Sequence, residues 1–147
     1  MIKGKIVSLN ISKETGTSKE PVASIEVRPD HGAVGDAHAR NWHRQISLLA
    51  QESIDKMVAL GLELNPGSFA ENITTAGLEL VSLPVGARLV AGAVEMEITQ
   101  IGKKCHSKCA IFSQVGDCIM PREGVFAKVI KGGILRAGDE IAVWERE

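Results

Sequence analysis

The chain has 147 residues, 44% of them apolar and 24% charged, with 17 Lys and Arg against 18 Asp and Glu and a formal net charge of −1. That composition fits one globular domain over residues 1–147 and excludes a disordered or fibrous chain. Near neutrality removes the global field that would hold DNA or an anionic membrane. The aromatic residues, Phe69, Phe112, Phe126, Trp42 and Trp144, are too scattered for a nucleic-acid stacking platform.

The opening stretch MIKGKIVSLNI lacks the apolar run of a signal peptide, and no 18-residue apolar run occurs anywhere. A cytoplasmic protein with no membrane or nucleic-acid partner is therefore expected. In a reducing compartment its three cysteines read as free thiols or ligands rather than a disulfide framework.

In chain order, Lys5 to Ile11 and Val22 to Val27 show partial alternation and predict two strands, joined by the polar stretch from Ser12 to Glu20. Gln51 to Leu60 predicts the main helix: Ile54, Met57 and Val58 fall at helical spacing, and Gly61 sits where a left-handed cap belongs. Its apolar stripe is one side wide, as for a helix that covers a sheet. Ser68 to Thr75 reads as a loop. Val85 to Val90 and Val94 to Ile101 predict strands joined by a tight connection at Ala91-Gly92-Ala93. Val125 to Ile130 and Glu140 to Trp144 predict the last strands. Leu83 to Ala87 and Leu135 to Asp139 look like one device used twice, a glycine turn that launches a strand. Many short strands, glycine turns and one helix predict a mostly β barrel with a helix at about 51–60 and short additional helical turns. Neither G-x-G-x-x-G nor G-x-x-x-x-G-K-[ST] occurs, which speaks against a nucleotide-binding α/β fold.

The densest chemistry is Lys103-Lys104-Cys105-His106-Ser107-Lys108-Cys109, just after the most regular strand. Neighbouring cations stabilise a thiolate, the reactive and ligating form of cysteine. Equally open is that Cys109 begins the buried run Cys109-Ala110-Ile111-Phe112 and the lysines are merely solvated. A zinc site from Cys105, His106, Cys109 and Cys118 is a third reading, against which the C-x3-C spacing and the adjacent Cys105 and His106 both count. Upstream, the loop from Asp30 to Gln45 carries His31, His38 and His43, either as metal ligands or as caps of backbone groups. Arg44 suits bidentate binding of phosphate or carboxylate, or an internal pair with Asp36 or Glu71. Glu71 and Asn72 are suited to a polar heterocycle and Arg122 to a phosphate; the alternatives are a turn residue and a surface ion pair.

Taken together, Gly35-Asp36-Ala37-His38, His43-Arg44-Gln45-Ile46-Ser47-Leu48-Leu49, Ala70-Glu71-Asn72-Ile73-Thr74, Leu83-Pro84-Val85-Gly86 and Lys103 to Cys109 resemble a stand-alone MOSC domain, the module named for the C-terminal part of molybdenum-cofactor sulfurase. The resemblance runs from the first strand to Gly138-Asp139. It implies a β-barrel fold and a pocket for molybdenum cofactor (molybdopterin), a pterin bearing a dithiolene and a phosphate. It also implies one essential cysteine that carries sulfur as a persulfide or ligates molybdenum. By position in the motif that residue is Cys109, with Cys105 second and His106 beside it. Asp36, His38, Glu71 and Asn72 would line the cofactor pocket, while Arg44, Lys103, Lys104 and Arg122 would take its phosphate. The family often has Arg where this chain has Ala37, and Gly where it has Ala70, so an anion contact is lost or shifted. Nothing in the chain resembles the pyridoxal-phosphate portion of full-length sulfurases. Activated sulfur would then come from a donor protein, and an acceptor protein would take the cofactor. The competing expectations are a non-catalytic module for a small anionic ligand and a zinc-stabilised interaction domain.

Overall fold

A computed structural model describes residues 2–14, 19–61, 67, 69, 71–102 and 123–144. The strands are β1 (Ile2–Ile11), β2 (Glu20–Val22), β3 (Ser24–Arg28), β4 (Gly32–Ala33), β5 (Ile46–Ala50), β6 (Ile73–Ala76), β7 (Arg88–Ala91), β8 (Val94–Ile101), β9 (Val125–Lys131), β10 (Gly133–Arg136) and β11 (Glu140–Trp144). One α-helix, α1 (Gln51–Val58), and a 3₁₀ turn at Leu80–Ser82 complete the described elements. No helix among the described residues is long and apolar enough to cross a membrane.

Seven strands close on themselves in the order β1, β11, β7, β8, β9, β5, β6 and back to β1, and β2 is added at the flank of β1. A small second sheet has the order β10, β3, β4. Every pairing is antiparallel except β5 with β6. A parallel pair needs a crossover, and α1 lies in the connection that provides it.

The alternation in β8 has the expected cause: Val94, Met96 and Ile98 point into the barrel, and Glu95 and Glu97 stand outside beside Arg88 at 3.2 and 3.3 Å. In the hairpin, Ala91 faces Val94 across a two-residue loop in which only Gly92 has positive φ, the signature of a type II′ turn. The two glycine turns also form as expected. Gly86 and Gly138 both have positive φ, and β7 and β11 each begin two residues later and pair with one another.

Two expectations need correction. The stretch from Val22 to Val27 breaks at Ala23, so β2 stays with β1 while β3 crosses to the small sheet. Alternation cannot reveal this, because both halves keep the same period. The segment from Ser68 to Thr75 is not all loop: Ile73–Ala76 is a barrel strand whose parallel partner β5 lies across the α1 connection. The helix ends at Val58, and Leu60 and Gly61 complete its last turn by bonding to the carbonyls of Met57 and Val58.

The core is aliphatic, built from Ile6, Leu9, Ile46, Leu48, Ile73, Leu89, Met96, Ile98, Val125 and Ile141, all essentially buried. Leu49, on the other side of β5, is fully buried as well, because α1 packs against β5 and β6. Leu48→Ala, at a position with no solvent exposure, is expected to lower stability by about 2–5 kcal/mol in urea denaturation.

Candidate functional site

The loop from Val34 to Gln45 connects the small sheet to β5 and carries most of the residues singled out from the sequence. Its two ends are clamped. Gly32 has a φ of +111° and no room for a Cβ, which would come within 2.9 Å of the Gln45 carbonyl oxygen. The buried Gln45 side chain accepts a 2.9 Å bond from the Val129 N–H of β9.

Within the loop, Asp36 is buried and both its oxygens accept from protein donors. Oδ1 accepts from the Ser12 N–H at 3.0 Å and from Lys19 Nζ at 2.7 Å, and Oδ2 accepts from the His38 N–H at 3.1 Å. Lys19 is buried too. Its ammonium also donates to His38 Nδ1 at 3.0 Å and to Ser12 Oγ at 3.3 Å. Burial by itself would push the Asp36 carboxyl up, but the hydrogen bonds from the Lys19 ammonium and the Ser12 N–H, together with the Lys19 charge, hold it well below the usual carboxylate range.

The rest of the loop wraps Trp42. The indole N–H donates to the His38 carbonyl at 3.0 Å. The Arg40 guanidinium lies 3.8 Å from the ring centroid, and that of Arg44 lies 4.6 Å from it and 5.7 Å from the Phe126 ring. Arg44 Nε is buried without a hydrogen-bond acceptor, and neither arginine forms an ion pair with a carboxylate among the described residues. The pairing of Arg44 with Asp36 or Glu71 does not form: Asp36 pairs with Lys19 instead.

This end of the barrel is also where the cysteine-bearing segment leaves it. His43 Nε2 lies 3.0 Å from Gln100 Oε1, and the Gln100 amide donates to the Gly102 carbonyl at 2.8 Å. Thr99 Oγ1 is held between the carbonyls of His43 and Phe126. The Gly102 N–H donates to the Gly124 carbonyl, which joins the ends of β8 and β9. Glu123 is fastened to α1, accepting from Ser53 at 2.7 Å and from Lys56 at 3.0 Å. Lys103, Lys104, Cys105, His106, Lys108, Cys109, Cys118 and Arg122 lie outside the described residues. A cleft of about 450 Å³ opens beside Trp42, His43, Gln45, Thr99 and Lys128. A larger one of about 510 Å³, near Leu83, Arg88 and Trp144, contains none of the candidate residues.

Glu71 and Asn72 differ in what they have left to offer. The Asn72 amide is committed, accepting from the Ser47 N–H at 3.0 Å and donating to the Asn10 carbonyl at 3.2 Å, so it binds β1, β5 and β6 together. Glu71 is fully buried at the end of a polar chain running from Ser8 through Asn10 and Thr74. Oε2 accepts from Thr74 at 2.8 Å, and Oε1 has no hydrogen-bond partner. Burial raises its carboxyl above the ordinary value, against the pull of nearby N–H groups and Thr74. The three loop histidines do not converge on a metal site among the described residues. Lys19, Trp42 and Gln100 were not identifiable from the sequence, since nothing local marks a lysine for burial or a glutamine for spanning two loops.

The MOSC domain family matches residues 31–142. Among solved structures, the YuaD protein from Bacillus subtilis is similar over 99% of this chain and 97% of its own, with a TM-score of 0.79 and 18% identity. YiiM from Geobacillus stearothermophilus is similar over 97% of this chain and 76% of its own, with a TM-score of 0.73 and 25% identity. YiiM from Escherichia coli reaches a TM-score of 0.65 at 18% identity, over 97% of this chain and 71% of its own. No curated protein matches the chain at a significant level.

The two buried carboxyls give opposite pH signatures. Asp36, depressed on folding, contributes stability that is present above its unfolded value of about 3.9 and is lost as the pH falls. Glu71, raised on folding, contributes stability that is complete below about pH 4.3 and declines as the pH rises through its folded value. In urea denaturation between pH 3 and 7, Asp36→Asn should therefore be most destabilised relative to the unsubstituted chain at neutral pH. Glu71→Gln should gain relative stability as the pH rises.

Proposed function

The chain belongs to the MOSC domain family, whose members are linked to molybdenum-cofactor-related functions, and from this premise we propose that it binds molybdenum cofactor or a precursor and acts through Cys109, by carrying sulfur or by ligating molybdenum. The observation that carries this reading is Arg44. Its guanidinium rests on Trp42 and Phe126, with a buried Nε that has no acceptor and with no carboxylate opposite among the described residues. It stands at the root of the segment that holds Cys105 and Cys109. A half-buried guanidinium whose buried Nε has no acceptor is matched by an anionic oxygen ligand, and a phosphate supplies that acceptor. The donor set therefore fits the phosphate of the cofactor.

When bound, the cofactor supplies a phosphate handle and a dithiolene that presents molybdenum. Arg44, with Lys103, Lys104 and Arg122 from the adjoining segment, binds the handle. His38, about one-third exposed, faces the site at the loop surface. Asp36 acts only through its partners, since both its oxygens are taken. Asn72 shapes the barrel wall, and Glu71 is buried behind it at the end of the polar chain through Thr74. Cys109 is the soft ligand or the sulfur acceptor, with Cys105 and His106 beside it. As acceptor, its thiolate attacks the outer sulfur of a donor persulfide; a Cys109 persulfide forms and the donor thiolate leaves.

Protein isolated anaerobically from a cofactor-producing host should carry pterin. Arg44→Ala should reduce bound pterin about tenfold or more, the worth of one charge-assisted hydrogen bond. Cys109→Ser should lose bound molybdenum or the additional sulfur seen by mass spectrometry, and Cys105→Ser should keep most of it. Absence of pterin together with absence of added sulfur on Cys109 would overturn the reading. A retained inorganic anion without pterin would favour a simple anion-binding module.

A further inference from the structure

We propose that Lys19 is a positioning residue that fixes His38 as a hydrogen-bond donor through Nε2, aimed at an acceptor group bound at the surface of the loop. The donor and acceptor count in the buried cluster leaves one consistent assignment. The Lys19 ammonium has three hydrogens and three acceptors within reach: Asp36 Oδ1 at 2.7 Å, His38 Nδ1 at 3.0 Å and Ser12 Oγ at 3.3 Å. The Ser12 hydroxyl spends its own hydrogen on the Glu14 carbonyl at 3.1 Å, so toward Lys19 it accepts. Asp36 already receives the Ser12 N–H, the His38 N–H and the ammonium.

His38 Nδ1 must then accept from Lys19, because an ammonium has no lone pair to offer. The competing arrangement, with Nδ1–H donating to Asp36 Oδ2, would span 3.7 Å, too long for a hydrogen bond, and would strand one buried Lys19 hydrogen. With the proton on Nε2, the ring, about one-third exposed, presents an N–H donor on the side away from the buried Lys19.

The ligand this arrangement recognises is an oxygen or nitrogen acceptor, and an anionic one is favoured by the neighbouring Arg40 and Arg44. Only that final clause rests on the cofactor reading. The tautomer is a property of the free protein, so failure to find a cofactor would leave it standing.

Nitrogen-15 NMR of the imidazole in the free, full-length chain tests it, with His38 assigned by comparison with His38→Gln. Near pH 7 the Nδ1 resonance should fall in the unprotonated range and Nε2 in the protonated range. In Lys19→Met the carboxylate of Asp36 loses its counter-ion, and Nδ1 is expected to gain a proton shared with Asp36, moving its resonance into the protonated range. Titrating the unsubstituted protein with inorganic phosphate should shift the Nε2–H signal, and the shift should be lost in Lys19→Met. A protonated Nδ1 in the unsubstituted protein would overturn the assignment whether or not Lys19→Met folds. An unprotonated Nδ1 that persists in a folded Lys19→Met would also overturn it. If phosphate leaves the Nε2–H signal of the unsubstituted protein unmoved, His38 is not an anion donor and the proposal fails at that point.

Discussion

Closure of the barrel through β1 is the constraint on which the site depends. This strand is ten residues long and serves three neighbours, with Ile2 to Lys5 pairing β11, Lys5 to Leu9 pairing β6 and Leu9 to Ile11 pairing β2. A register shift between Ile6 and Ser8 bends the strand so that the first two pairings coexist. Because both ends of the sheet close on one strand, its far end is held rigidly. There Ser12 offers its N–H and hydroxyl to the cluster of Asp36 and Lys19. A loop with almost no regular structure thereby takes its position from a closed hydrogen-bonded ring.

Burying the ion pair of Lys19 and Asp36 is costly, and a packed apolar pair of the same shape would serve stability as well or better. Removing one partner is worse, costing about 3–5 kcal/mol, because it leaves a charge without compensation. What the pair supplies is direction. It orients the carbonyl and ring of His38, and through that carbonyl it orients Trp42, on which the two arginines rest. The positive charge of the site is thus held by an aromatic ring rather than cancelled by carboxylates. A chain with a net charge of −1 thereby carries a local cluster of positive charge.

Strand alternation and turn chemistry were well represented in local sequence. Alternation in Val94 to Ile101, the glycines at 86, 92 and 138, and the apolar stripe of Gln51 to Val58 each report a short-range preference, and all were realised. Ile73–Ala76 was not readable in this way, since it is four residues long and gains its order from β5 on one side and β1 on the other. The split at Ala23 is likewise a choice between two sheets that local sequence does not encode.

The site divides along the same line. The order of the Gly35 to His38, Arg44, Glu71 and Cys109 motifs already pointed to the MOSC family, because residue types in sequence carry chemical identity. How those groups are used was decided by long-range packing. Asp36 found Lys19 from before β2, His43 found Gln100 from β8, and Asn72 was taken up by Ser47 and Asn10, each partner at least 17 residues away along the chain. A side chain's identity states which bonds it can make. Only the folded barrel determines which partner is near enough to make them, and therefore which groups, such as the Arg44 Nε, are left without an acceptor among the described residues.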